Sequence, residues 1–171
     1  VGAGAVFAQT KPATEELRAE RAVRDALPEG SRLERRWTHT LYHLDDLPTG
    51  YDSIDDTFTP WRKDVERAAS VREPVATPTE VPTPSLAPGE VPTLDDLGLS
   101  EPPLDDRAVL PFEGGETAGR DRVEEYIWDG DRLREYKQTR NGMLGADYSS
   151  KLSPWLAAGC LSPRWIHREV N

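Results

Sequence analysis

Cysteine is almost absent from this sequence of 171 residues, with Cys160 as its single example. One thiol leaves no partner for an intrachain disulfide, and no Cys/His spacing is typical of a zinc site. We expect Cys160 to be a small buried thiol. Long hydrophobic runs are also missing. The apolar start VGAGAVFA lacks a basic leader and reaches Gln9 and Lys11 too early for a signal peptide or a membrane span. These features predict a cytoplasmic protein.

Positive charge is scarce as well, with 21 basic residues against 31 acidic ones and a formal net charge of -10. Such a balance disfavours nonspecific nucleic-acid binding by this stretch alone, although it does not exclude a basic groove elsewhere. Fifteen prolines and a mean hydropathy of -0.67 argue against one compact unit. Because the sequence starts at Val1 and ends at Asn171 in a helix-like run, we expect a fragment of a longer protein.

The first third of the chain has the pattern of an α/β domain. The apolar run AVFAQ at 5–9 predicts a buried strand, and a second strand is expected over 33–42, where Trp37 and neighbouring β-favouring residues lie. Between them we predict a helix capped by Thr14. Its apolar face would consist of Ala19, Ala22, Val23, Ala26 and Leu27. The order strand, helix, strand indicates the end of an α/β domain over 1–56.

An interdomain connection is predicted over 57–111. It begins with a short helix in which Thr59 is the cap and Pro60 the first helical residue. From residue 74 it is rich in proline, without helical or strand periodicity, and so has the character of a linker. Within it, Thr93 is expected to cap a single helical turn.

Residues 112–171 are predicted to be all helical, so that the whole chain is α/β plus all-α. One helix should carry Ala118, Val123, Tyr126 and Ile127 along one side and break at Asp129-Gly130. The next should run past Tyr136 to Asn141-Gly142. Two later helix starts are the Ser-Pro pairs at 153–154 and 162–163.

A candidate anion site precedes the first Ser-Pro pair. Ser153 and Ser162 have the position of ordinary helix caps, and that remains one interpretation. However, Ser149 and Ser150 add hydroxyl groups, Lys151 adds a mobile positive charge, and a helix start adds a partial positive charge of about half a unit. Together these groups suit a phosphate or a diphosphate.

Other motifs are less specific. The Gly114-Gly115-Glu116-Thr117 sequence lacks the Gly-Lys-Ser/Thr ending of a phosphate loop, so we interpret it as a helix entry. His39 and His43 have no third ligand nearby, and a structural pair is favoured over a metal site. Three other residues are candidates without a motif. His167 is alone in a predicted helix, and Trp155 and Trp165 could pack in the core or stack on a flat ring. No catalytic residue and no metal ligand is assigned.

The segment YKQTRNGMLGADYSSKLSPWLAAGCLSPRWIHREV resembles the start of the flavin-binding domain of the photolyase/cryptochrome family, and within it the cryptochrome DASH group. FEGGETAGRDRVEEYIW is similar to that group's helix entry, so the resemblance spans 112–170. TLYHLDDLP, TPWRKDVE and PTLDDLG resemble its interdomain segment, and AVFAQ with the following helix resembles the end of its Rossmann-like α/β antenna domain.

This resemblance implies a function and a cofactor. The family uses blue light to drive an electron from reduced FAD to a cyclobutane pyrimidine dimer in DNA, and the cryptochrome DASH group favours single-stranded DNA. Family contacts to FAD map onto Tyr136 and onto the run Ser149, Ser150, Lys151, Leu152 and Ser153. A folate antenna, methenyltetrahydrofolate, and a monomeric state without membrane contact are also implied. The anion predicted at 149–153 is then the FAD diphosphate.

Two alternatives stay open at this point. The complete protein could be a flavin-binding blue-light photoreceptor without repair activity, or the chain could be a truncated, non-catalytic remnant. We expect the 171-residue chain alone to be inactive, because a few phosphate contacts would leave most of the flavin in water.

Overall fold

The computed structural model describes residues 2–38, 40–54, 56–103 and 105–171. The chain divides into two compact units. The first comprises the chain up to residue 74 together with 163–169 and 171, and the second comprises 75–162 and 170. The predicted domain limits at 56 and 111 stay predictions.

The first unit begins with a parallel strand–helix–strand arrangement, as the sequence predicts. Strand β1 (Ala5–Gln9) is followed by helix α1 (Thr14–Ala26) and strand β2 (Arg32–Arg36). The two strands pair in parallel from Ala5 opposite Arg32 to Gln9 opposite Arg36. Parallel strands require a crossover connection, which α1 provides.

The predicted second strand is too long. Strand β2 ends at Arg36 instead of continuing to residue 42. Trp37 Nε1 donates a hydrogen bond to Thr40 Oγ1 at 2.8 Å, and the Thr40 hydroxyl in turn donates to the carbonyl of Tyr42. Such local side-chain bonds compete with a strand ladder and bend the chain here. The β-favouring composition did not reveal this competition.

The predicted burial of β1 is wrong for the described residues, and the apolar face of α1 is largely exposed. Phe7 in β1 is 66% exposed and Val23 in α1 is 45% exposed. Within the described residues the sheet has two strands and one covering helix, which do not enclose both faces of the sheet. Thr14 is not the cap of α1 either: Ala13 has that position, and no side chain bonds to the helix start.

Helix α2 (Phe58–Ala68) starts earlier than predicted. Thr57, not Thr59, has the cap position, and Pro60 is the third helical residue. Proline is still tolerated there, because the N–H groups of the first turn have no partner inside the helix. The helix buries Val65. Two 3-10 turns precede it, at Leu44–Asp46 and Tyr51–Ser53.

The second unit starts with an extended segment. Residues 75–94 contain no helix or strand, in agreement with the predicted linker character. A 3-10 turn follows at Asp95–Leu97. Leu94 has the cap position of this turn, but Thr93 makes the predicted capping bonds: the backbone N–H of Asp96 donates to Thr93 Oγ1 at 3.2 Å, and the backbone N–H of Thr93 donates to Asp96 Oδ2 at 2.8 Å.

In the rest of the second unit the regular structure is helical, and this part contains most of the buried core. Helix α3 (Glu116–Val123) continues as a π-helical turn (Glu124–Asp129), and a 3-10 turn (Arg132–Glu135) leads into α4 (Tyr136–Thr139). Helix α5 (Ser153–Ala157) follows in this unit, whereas helix α6 (Pro163–Val170) belongs to the first unit except for its last residue. The buried apolar residues of this unit are Val123, Tyr126, Ile127, Leu152, Trp155 and Leu161. The predicted apolar side of the first helix and its break at Gly130 are therefore confirmed.

Gly119 lets two parts of this core approach each other. A Cβ added at Gly119 would lie 3.0 Å from Leu161 Cγ and from Trp155 Cδ1 and Cγ. Trp155 is further fixed by its Nε1–H, which donates to the Glu113 carbonyl at 2.8 Å. The ring of Phe112 lies 5.3 Å from that of Trp155. These contacts hold α5 against α3 and so position the loop that enters α5.

Candidate anion-binding site

The predicted anion-binding run lies on the loop that enters α5. Ser149, Ser150 and Lys151 are half-buried, Leu152 is buried, and Ser153 is exposed as the first residue of the helix. The run is thus anchored by the leucine in the core of the second unit. Two serine hydroxyls and the Lys151 ammonium group precede this leucine in the chain, and the Ser153 hydroxyl follows it.

Ser153 does not cap its helix, contrary to the cap interpretation. Leu152 has the cap position of α5, and no side chain bonds to the helix start. The helix begins at Ser153 because proline at the next position fits the first turn. The Ser153 hydroxyl makes no capping hydrogen bond, so capping and phosphate binding do not compete for it. The second Ser-Pro pair does match its prediction, since α6 begins at Pro163, directly after Ser162.

The helix dipole contributes less to this site than the sequence suggests. Helix α5 has only five residues, and Pro154 in its first turn has no N–H group. A partial charge of about half a unit requires several aligned turns. Anion binding by this run would therefore depend on the three hydroxyls and on the ammonium group of Lys151.

Lys151 has an unusual backbone conformation. Its φ of 58° lies in the left-handed region, which residues other than glycine rarely adopt. Such a conformation costs about 1–3 kcal/mol and persists only where the surroundings enforce it. Its neighbour Leu152 is buried, which fixes the chain on one side of Lys151. The constraint on the other side comes from Arg122.

Arg122 is the main residue of this region that the sequence analysis missed. Its side chain is only 3% exposed, and its guanidinium donates to three places on the loop before α5. Nε donates to the Ser150 carbonyl at 3.1 Å, and Nη2 donates to the Ala146 carbonyl at 2.7 Å. Nη1 and Nη2 each lie 3.4 Å from Asp147 Oδ1. One buried side chain thus fixes three residues of the loop.

The charge of Arg122 is compensated locally. Glu125 Oε2 accepts a hydrogen bond from Nη1 at 2.8 Å, and the guanidinium carbon lies 5.2 Å from the centre of the Tyr126 ring. A buried charge is tolerated only with such partners. A sequence signal for this arrangement exists: Arg122 falls at helical spacing between Gly119 and Tyr126, on the buried side of α3.

Tyr136, the other predicted contact, is the first residue of α4 and is 40% exposed. No hydrogen bond joins its side chain to the 149–153 run within the described ranges. The hydroxyl of Tyr126 is fully buried and without a hydrogen-bond partner among the described residues. Burial, and secondarily Tyr136, raises the pKa of Tyr126. The assignment of Tyr136 stays a prediction.

Tyr148, directly before the run, packs against two glycines. A Cβ added at Gly142 would lie 2.3 Å from Tyr148 Cδ2, and one added at Gly145 would lie 2.9 Å from Tyr148 Cε2. Neither distance is compatible with a side chain larger than hydrogen. The two glycines therefore leave the space that the ring occupies at the entrance to the run.

The remaining sequence candidates have structural roles or stay untested. Gly115, with a φ of 96°, has the cap position of α3, so the helix-entry interpretation is confirmed. His43 Nδ1 accepts a hydrogen bond from the Asp45 backbone at 3.2 Å, whereas His39 lies outside the described residues. Cys160 is half-buried rather than buried, because it lies in the turn after α5.

Two absences hold for the described ranges of the chain. No three His, Cys, Asp or Glu side chains there lie together so as to hold a metal ion. In the same part of the chain, no helix combines the length and the apolar character needed to cross a membrane.

Comparison with known proteins gives a consistent result. A family described as DNA photolyase matches residues 1–85. Cryptochrome DASH of Natronomonas pharaonis is 70% identical over 99% of this chain, and cryptochrome DASH of Gloeobacter violaceus is 51% identical over 92% of it. The crystal structure of a cryptochrome from Synechocystis superposes with a TM-score of 0.87 at 43% identity, over 98% of this chain.

The matched region is a part of each relative. The chain spans 36% of the Natronomonas protein, 32% of the Gloeobacter protein and 35% of the Synechocystis structure. The matches to these relatives cover 92–99% of this chain. The chain therefore belongs to the photolyase/cryptochrome family and is similar over nearly its whole length to cryptochrome DASH proteins.

Proposed function

We propose that this chain supplies the diphosphate-binding part of an FAD site in a cryptochrome DASH-type protein. The observation that carries the proposal is the arrangement of the 149–153 run. Three serine hydroxyls and one ammonium group occur within five consecutive residues. In the described chain the Ser153 hydroxyl makes no capping hydrogen bond to its helix. Family membership supports the choice of flavin over other phosphate-containing ligands.

The chemistry of this donor set fits a diphosphate. Hydroxyl groups donate to phosphate oxygens, and an ammonium group pairs with phosphate charge without needing a wholly basic surface. The net charge of -10 is therefore compatible with the site. Ser149, Ser150, Lys151 and Ser153 would hold the phosphates, Leu152 would anchor the run in the core, and Tyr136 is the further candidate contact.

In the complete protein, we propose blue-light-driven repair of cyclobutane pyrimidine dimers, preferentially in single-stranded DNA. FAD, when bound in its reduced form, supplies the electron that light transfers to the dimer. The residues described above bind and orient the cofactor, and none of them is assigned to the electron transfer itself. A methenyltetrahydrofolate antenna and a monomeric, cytoplasmic protein complete the proposal.

A double substitution in the full-length gene product tests the cofactor site. Ser149→Ala with Lys151→Met removes one hydroxyl and the ammonium group. Loss of two charge-assisted contacts of about 1.5 kcal/mol each corresponds to roughly 100-fold weaker FAD binding. Equilibrium titration of apoprotein with FAD, followed by flavin fluorescence, measures this. The matched control is Ser85→Ala with Lys63→Met, at exposed positions outside the run, which should bind FAD as the wild type does. Equal affinities of the two double variants would contradict the proposed site.

A second experiment separates repair from photoreception. The full-length protein with reduced flavin is illuminated in the presence of single-stranded DNA that contains pyrimidine dimers, and the remaining dimers are counted. Light-dependent loss of dimers supports repair. Persistence of the dimers, while the flavin still responds to light, would favour the photoreceptor alternative and leave the FAD site intact.

A further inference from the structure

A buried guanidinium lies behind the proposed phosphate-binding run without facing solvent. Arg122 is 3% exposed, so it is not available as a direct phosphate contact in the described chain. Its hydrogen bonds go instead to main-chain carbonyls of the loop, at Ala146 and Ser150. Its effect on any ligand of the run would therefore be transmitted through the loop conformation.

The point where Arg122 holds the loop is adjacent to the strained residue. Ser150, whose carbonyl accepts from Nε, directly precedes Lys151 with its φ of 58°. Leu152, on the other side of Lys151, is buried. Because the left-handed conformation persists only when its surroundings enforce it, these two neighbours together fix the backbone of Lys151.

The guanidinium is itself fixed in orientation. The carboxylate of Glu125 holds it from its own helical segment at 2.8 Å, and the ring of Tyr126 lies 5.2 Å away. Asp147 approaches it from the loop side at 3.4 Å. A planar group with donors in fixed directions can bridge two carbonyls and a carboxylate at once, which an ammonium group cannot do with the same geometry.

We propose that Arg122 is a positioning residue for the flavin diphosphate, acting through the Ser150 carbonyl to hold Lys151 and its serine neighbours in their binding conformation. This inference rests on the proposed FAD site. It assigns to α3 a part in cofactor binding, through the bonds of Arg122 to the loop.

The test is Arg122→Lys in the full-length protein. It keeps the buried positive charge but loses the forked geometry. We expect a folded protein with about ten-fold weaker FAD binding, because small misplacement of binding groups is costly. We also expect displaced phosphorus NMR resonances for the bound diphosphate. Arg120→Lys is the matched control, since Arg120 lies on the exposed side of the same helix in an ion pair with Glu116. That variant should retain wild-type affinity and resonances.

The phosphorus resonances distinguish positioning from general stability. A lower melting temperature with unchanged FAD affinity and resonances in Arg122→Lys would overturn the proposal. If that variant does not fold, Asp147→Asn replaces it, with Asp121→Asn as its control at an exposed position of α3. The same shift of the resonances is expected for Asp147→Asn, and unchanged resonances would overturn the proposal equally.

Failure of the FAD site itself gives a different pattern. In that case Ser149→Ala with Lys151→Met also leaves FAD affinity unchanged, whatever Arg122→Lys does. If Ser149→Ala with Lys151→Met weakens FAD binding while Arg122→Lys leaves FAD affinity and the phosphorus resonances unchanged, only the role of Arg122 is refuted.

Discussion

The packing of Tyr148 on Gly142 makes a quantitative prediction about the loop before the site. A Cβ at Gly142 would lie 2.3 Å from Cδ2, 2.4 Å from Cγ and 2.7 Å from Cε2 of Tyr148. Ordinary contacts between carbon atoms are about 3.5–4.0 Å, so the ring would have to move by roughly 1 Å or more. Gly142→Ala should therefore displace the residue that directly precedes the serine run.

The expected magnitude follows from two opposing effects. Forcing an extra methyl group into a packed position costs about 1–3 kcal/mol, whereas replacing glycine by alanine gains about 0.4–1 kcal/mol by restricting the unfolded chain. The gain applies because the φ of Gly142 is not positive. We therefore expect Gly142→Ala to lower the free energy of unfolding by about 1 kcal/mol.

A double-mutant cycle tests the cause directly. In a Tyr148→Ala background the ring is gone, so Gly142→Ala should be neutral or slightly stabilising, and the coupling energy should be about 1 kcal/mol or more. Urea denaturation of the full-length protein measures all four variants. Gly114→Ala is the control, because no atom lies within 4 Å of a Cβ added there. Equal effects of Gly142→Ala in both backgrounds would refute the packing argument.

Three further predictions concern the core of the second unit. Tyr126→Phe should raise the free energy of unfolding by about 1 kcal/mol, because it removes a buried hydroxyl without a partner among the described residues. A lower free energy of unfolding for Tyr126→Phe than for the wild type, measured by urea denaturation, would contradict this. Burial raises the pKa of Tyr126 above its ordinary value of 10.0, so its contribution to stability is complete below pH 10.0 and is lost as the pH rises through the folded-state pKa. Tyr126→Phe should lack this alkaline loss. Trp155→Phe should lower the free energy of unfolding by about 2–3 kcal/mol, because it leaves a cavity and the unpaired Glu113 carbonyl, whereas Trp128→Phe, at an exposed position, should change it by less than about 0.5 kcal/mol. Equal effects of the two tryptophan variants would contradict the assigned core.

Local sequence patterns predicted the elements that depend on neighbouring residues alone. The strand–helix–strand order of the first unit, the capping bonds of Thr93, the helix entry at Gly115 and the break at Gly130 are each set by a few adjacent side chains or by glycine geometry. Proline spacing similarly predicted the segment without regular structure over 75–94. Predictions that depended on one competing local bond, such as the end of β2 near Trp37, were wrong.

Burial and the internal support of the site required the tertiary structure. Periodicity places Val23 on an apolar face but does not say whether anything covers it, and here it is exposed. The same limit applies to Arg122, whose partners at Ala146 and Ser150 are 24 and 28 residues away along the chain. The sequence alone determined which groups were available to bind a diphosphate, because hydroxyl and ammonium chemistry belongs to individual residues. Only the tertiary structure decided how those groups are held, because hydrogen bonds to distant main-chain carbonyls depend on how α3 packs beside the loop.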